Sequence, residues 1–289
     1  MDNTSLFYKT EIGTFRDIEE RNTIDEIRHF VLHNYASVLK NRPSLHEYIK
    51  HSPEKLQLLT DKIRNSKQLK NSICAQYRNC DITSLNSIDE LYISHYNIDG
   101  GGDQGLFDKH YDGVLRFIND ASVIRVLIYV NSNDDFVVHF EDSNTSHHFS
   151  NYEYGILDFN KEYHWVEGKY NENMNYEDSR ILLKLNYLVC PNCSKWYTEF
   201  IIFINAFVFY IIKMSMEYSK SPQTPFQHII GFFCNLFRVV NNISVYYTFL
   251  LIAFCILILY TLFYYIFKYT YYMINIMIIQ NKPKMKPRK

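Results

Sequence analysis

Glycine is scarce in this chain. There are nine in 289 residues, and four of them fall with two aspartates in the stretch 97–105, which therefore reads as a loop. Scarce glycine beside abundant Asn, Ile, Lys and Tyr is the composition of an AT-rich genome, such as that of a large DNA virus or a protist. Cysteine is also sparse: six scattered residues do not make a disulfide scaffold, and a reducing compartment is the default. Cys74 and Cys80 read as buried thiols. Cys190-Pro191-Asn192-Cys193 has no second cysteine pair and no thioredoxin-like context, so it reads as a turn rather than half a zinc site or a redox pair. Residues 1–15 lack the apolar core of a signal peptide, and nothing in them sends the domain across a membrane. Acid is missing from residues 268–289, which hold six basic groups. The remainder carries 24 basic against 31 acidic groups, a balance that argues against nucleic acid as the main partner.

Charge is absent again from residues 243–267, which form 25 uncharged positions rich in Tyr and Phe toward their ends. Such a run predicts a membrane span. Residues 199–216 predict a second, shorter one, and residues 229–240 are amphiphilic. The positive-inside rule keeps the basic tail cytoplasmic, and the lack of a signal keeps the N-terminal region there too. A two-span hairpin satisfies both. The expected localisation is a viral or ER-derived membrane, with a cytoplasmic domain of about two thirds of the chain.

That domain divides at about residue 90. Before it, helices are expected: Thr23-Ile24-Asp25-Glu26 is a capping box, followed by Ile27, Val31, Tyr35 and Val38 at helical spacing. Ser52-Pro53 is a second start, with Leu56, Leu59 and Ile63 behind it. After it, short β-rich segments succeed one another with polar turns and no helices between: 123–131, 136–140, 154–159, 163–168 and 180–189. The expected fold class is α+β. Helices of 1–90 support a double-stranded β-helix, or jelly roll, over 91–195, and transmembrane helices lie within 196–289.

Lys109-His110-Tyr111-Asp112-Gly113 is the stretch that carries chemistry. Its imidazole and carboxylate are two residues apart, which places both on one face of an extended strand. With a second histidine from a distant strand, the three can hold one face of an octahedral iron and leave the other face open.

Three later segments of the chain supply the rest of the pattern. Ile128-Tyr129-Val130-Asn131 ends a strand, Gly155-Ile156-Leu157-Asp158-Phe159 precedes His164, and Arg180 opens a closing strand. In this order the motifs resemble the Fe(II)/2-oxoglutarate-dependent dioxygenases, most closely their prolyl 4-hydroxylase-like branch, over residues 92–189. The sequence departs from the family at 134–140, where a Gly-Gly segment is usual, and in a long turn before Arg180 that contains the polar stretch 171–177.

The resemblance implies a ligand set and an activity. His110, Asp112 and His164 would bind Fe(II), with a separation of 52 residues between the last two. Arg180 would pair with the distal carboxylate of the co-substrate 2-oxoglutarate, with Lys169 as its rival, and Tyr129 would donate to the same carboxylate. Ascorbate is an accessory reductant of such enzymes. The implied reaction is hydroxylation of a carbon centre, a peptidyl proline first, with release of succinate and CO2, on a polypeptide substrate. His139, His147 and His148 receive no role. Two other readings stand beside it: a catalytically inactive jelly-roll interaction module at a membrane, and a structural membrane protein in which these residues are incidental.

Overall fold

The computed structural model describes residues 8–39, 44–77, 80–94, 109–113, 115–116, 118–132, 136–168, 176–220, 224–232 and a few positions between 236 and 270. Two antiparallel sheets face each other. The larger has the order β1-β8-β5-β10-β4-β2, with β3 also paired to β10, and the smaller has the order β7-β6-β9. Their strands are β1 Glu11–Thr14, β2 Ser44–Tyr48, β3 Ile82–Ser84, β4 Glu90–Ser94, β5 Ser122–Asn131, β6 Phe136–Phe140, β7 Thr145–His147, β8 Glu153–Asp158, β9 His164–Gly168 and β10 Arg180–Val189.

The apolar runs of β5 and β10 lie side by side at the centre of the larger sheet, and both faces are covered. On one face Ile124, Val126 and Ile128 join Ile181, Leu183, Leu185 and Tyr187 in a core with Ile24, Ile27, Leu56, Ile63 and Leu69. Those last residues come from helices α1 Ile18–Asn34, α3 Glu54–Arg64 and α4 Lys67–Cys74; the short α2, Ala36–Leu39, comes directly after α1. On the other face Leu127, Tyr129 and Leu182 pack against Phe136, Val138, Phe140 and Val166 of the smaller sheet. Strand parity thus sends alternate residues of β5 and β10 into the space between the sheets. Arg125, Arg180, Lys184 and Asn186 share that parity, and all four are buried.

The first ninety residues are not only helical, for they also supply β1, β2 and β3. Helix α1 starts five residues before the expected capping box. Asp17 is its N-cap, with Oδ1 accepting from the Glu19 and Glu20 amides at 2.7 and 3.3 Å, and acidic residues fill its first turn. Thr23 lies inside the helix and donates to the Glu19 carbonyl. Cys74 and Cys80 are joined in a disulfide across a 5.4 Å Cα–Cα separation, where buried thiols were expected. The turn after α4 brings them together. Cys190 and Cys193 stand 5.5 Å apart at Cα across the turn that ends β10, where a turn was expected.

The expected membrane region needs correction. Among the described residues no helix is long and apolar enough to cross a membrane. For the described residues, the transmembrane part of the expected fold class and the membrane localisation therefore do not hold. Helix α5, Lys195–Lys220, occupies the expected span 199–216. It begins as a helix docked on the sheet domain: Ile201 and Asn205 are buried, Tyr197 donates to Asp120 at 2.9 Å, and Phe209 packs on Phe159. The expected span 243–267 lies, apart from a few positions, outside the described residues, as do the basic end of the chain and Lys169.

Candidate metal centre

His110 and His164 meet through backbone pairing. They form an isolated antiparallel bridge, with each amide donating to the other's carbonyl at 2.9 and 3.0 Å, so the start of β9 recruits the segment carrying the other histidine. Asp112 lies beyond the bridge in a bend rather than on a strand. Its position is set by Gly113, whose amide donates to the Phe159 carbonyl at 2.9 Å, and by the Leu115 amide, which donates to Asn160 Oδ1 at 3.1 Å. The loop is thus pinned on the turn between β8 and β9.

The result is a compact donor set. One ligand atom from each of His110, Asp112 and His164 lies within 4.8 Å of the others, and the two imidazole Nε2 atoms are each 3.7 Å from an Asp112 oxygen. His164 Nδ1 faces the Glu162 carbonyl at 3.2 Å. A proton held there leaves Nε2 as the lone-pair donor, which is the tautomer a metal ligand requires. Glu162 is itself fixed by Ser143 and Thr10, whose hydroxyls donate to its carboxylate at 2.5 and 2.9 Å.

Electrostatics favour the ligand forms of both side chains. Burial raises the Asp112 carboxyl, but the Arg125 guanidinium, 2.9 Å from Oδ2, and the neighbouring histidines outweigh it and hold the group well below the usual carboxylate range. Burial pushes His164 down to about 4 against the opposing pull of Asp112, so its ring is neutral at neutral pH. Two imidazoles and one carboxylate suit a divalent transition metal and leave positions open on it.

Arg180 and Tyr129 lie farther along the same inter-sheet space. Arg180 Nη2 donates to the Tyr129 hydroxyl at 3.0 Å, and the Tyr129 ring stacks on Phe149 at 4.1 Å. A row of rings, Phe149, Phe140 and His164, leads back to the donor set, with centroids 6.4 and 6.3 Å apart. Arg125 and Tyr129 are four residues apart on β5, about 13 Å at ~3.3 Å per residue.

No protein-family model matches the chain, and no curated protein matches it. Among solved structures, two of the viral collagen prolyl hydroxylase of Paramecium Bursaria Chlorella virus-1 align with it. The truncated form shows 10% identity over 64% of this chain and 91% of that one, with a TM-score of 0.37. The 2OG complex shows 9% identity over 63% and 96%, also at 0.37. NgTET1 in complex with 5mC DNA aligns at 9% identity over 57% of this chain and 67% of its own, with a TM-score of 0.31. Likenesses this low settle neither fold nor activity, and the functional reading rests on the site and its motifs.

The structure also places polar residues that received no role from sequence. Arg125 and Asn186 stand behind Asp112, with Arg125 Nε donating to Asn186 Oδ1 at 3.0 Å. Lys184 lies 3.7 Å from Glu90, which His46 Nδ1 meets at 2.5 Å. Burial raises the Glu90 carboxyl, but Lys184 and His46 outweigh it and keep Glu90 ionised. The available signal was parity: charged or amide groups at alternate positions of two otherwise apolar strands. Water and a polar lumen produce the same alternation.

Proposed function

We propose that the chain is an Fe(II)- and 2-oxoglutarate-dependent oxygenase that hydroxylates a carbon centre, with a prolyl residue of a polypeptide as substrate. The observation that carries this reading is the convergence of His110, Asp112 and His164 at one part of an inter-sheet space whose polar lining continues to the buried pair Arg180 and Tyr129. A three-donor face leaves room for a bidentate co-substrate and for O2. When bound, the metal supplies O2 activation coupled to conversion of 2-oxoglutarate to succinate and CO2.

The protein residues then hold and orient. Arg180 presents a guanidinium fork to the distal carboxylate of the co-substrate. Tyr129 accepts from Arg180, so its own proton remains to donate to that carboxylate. The rings of Phe140 and Phe149, both buried, wall this space with apolar surface. A polypeptide prolyl substrate is supported by the ordered motifs 110–113, 128–131, 155–164 and Arg180, which resemble the prolyl 4-hydroxylase-like branch.

The test is anaerobic reconstitution of the full chain with Fe(II), and then addition of 2-oxoglutarate. A metal-to-ligand absorption band in the wild type, absent in His164→Ala, is expected. A folded wild-type chain with no band would refute the proposal and leave the two-sheet domain as a binding module.

A further inference from the structure

We propose that Asp112 is oriented by a buried chain of positioning residues, Arg125, Asn186, Asp89 and Arg64, which reserves one carboxylate oxygen for the metal; the inference rests on the oxygenase reading above. Asp112 lies on a bend, so its own backbone gives it no strand or helix neighbours to fix the carboxylate. Arg125 projects from the central strand β5 and takes Oδ2 at 2.9 Å. Oδ2 also lies 3.7 Å from His164 Nε2 but is engaged by the guanidinium, so Oδ1, 3.7 Å from His110 Nε2, is the oxygen left to bind a metal through one atom.

Arg125 cannot turn without breaking a second bond, because its Nε donates to Asn186 Oδ1 at 3.0 Å. Asn186 is locked in turn. Its Nδ2 donates to the Ile88 carbonyl at 2.9 Å and to Asp89 Oδ1 at 3.2 Å, and its backbone amide donates to the same Asp89 oxygen at 2.7 Å. The other Asp89 oxygen accepts from Arg64 Nε and Nη2 at 3.0 and 2.6 Å. Arg64 belongs to α3, whose apolar residues pack in the core on the opposite face of the sheet. The chain therefore passes from the metal side to the helix layer at the start of β4. Alternating charge along it, Asp112, Arg125, Asp89 and Arg64, lets every ion be buried with a partner.

Two charge-conserving variants of the full-length protein test this, read by Co(II) titration with its visible absorption band. Asn186→Ala removes the link without touching a ligand. Arg125→Lys keeps the cation but supplies a point donor in place of a fork that holds Asp112 and Asn186 together. Each is expected to bind Co(II) about 10–100-fold more weakly, as loss of outer-shell partners does, and to shift the band as Asp112 gains freedom to bind through both oxygens. Neither effect arises from charge, which both variants conserve. A folded Asn186→Ala or Arg125→Lys with wild-type affinity and band would overturn the chain, and the second variant serves if the first does not fold. A wild-type protein with no His164-dependent Co(II) band would instead overturn the oxygenase reading on which the chain depends.

Discussion

Replacing Gly113 with alanine tests how the metal-binding loop is placed. The residue has no left-handed backbone to protect, since Gly168 is the glycine with positive φ among the described residues, so the argument is steric. A Cβ at 113 would come within 2.5 Å of the Phe159 ring, with Asn160 Oδ1 nearer still. Both neighbours belong to the turn that also receives the Gly113 and Leu115 amides, so relief requires the loop to lift away from it. Overpacking of this kind costs about 1–3 kcal/mol. The entropic gain of Gly→Ala in the unfolded chain offsets roughly 0.4–1 kcal/mol of that. Mid-range values of about 2 and 0.7 kcal/mol leave a net cost of about 1.3 kcal/mol, and at about 2–4 °C per kcal/mol for a domain of this size the midpoint of a thermal melt should fall by roughly 3–5 °C. Co(II) affinity should fall with it, because lifting the loop carries Asp112 out of register with His164. The clash can be isolated by a double-mutant cycle with Asn160→Ala, where the cost of Gly113→Ala should shrink by about 0.5–3 kcal/mol. Gly113→Ala with unchanged melting and Co(II) binding, or strict additivity with Asn160→Ala, would refute the reasoning.

Arg180→Ala should weaken 2-oxoglutarate binding about 10–100-fold, the equivalent of losing a charge-assisted hydrogen bond, while Co(II) affinity stays as in the wild type; Tyr129→Phe should cost only a few-fold. Equal loss of metal and co-substrate binding would contradict the separation of the two subsites. Asp158 offers a pH test away from the metal ligands. Burial raises its carboxyl from 3.8 to about 6, so between those values the folded state binds more protons than the unfolded one. Its stability contribution is therefore full below pH ~4 and is lost as pH rises through 6, to the extent of about 3 kcal/mol. Asp158→Asn keeps an acceptor for the Asn160 and Lys161 amides, and should be more stable than wild type in urea melts at pH 7.5, with the difference vanishing near pH 4. Cys74→Ser opens a six-residue separation and should cost about 2 kcal/mol in non-reducing melts, with no effect when reductant is present throughout.

The amino-acid sequence by itself determined the strands that the site stands on. β6 and β10 have the expected bounds and β5 differs by a single residue, because β-branched and aromatic runs bounded by polar turns are local signals. It also named His110, Asp112, His164, Arg180 and Tyr129 as candidates, through motif order rather than through any property of a single residue, and the structure brings the first three within 4.8 Å and Arg180 against Tyr129. It was less informative about β1 and β2, which are short, half-buried edge strands that exist through pairing: β1 aligns with β8 some 140 positions later. The face that α5 turns to the protein was hidden for a similar reason. An apolar helix records only that something covers it, and the sequence supplied a membrane where the structure supplies Phe159 and the rest of the sheet domain. Only the tertiary structure joined His110 to His164, put Arg125 against Asp112, and tied Arg125 through Asn186 to a helix on the far side of the sheet. Periodicity tells which side of a strand is buried. Which partner is buried with it depends on contacts between residues far apart in the chain, and local pattern carries no record of them.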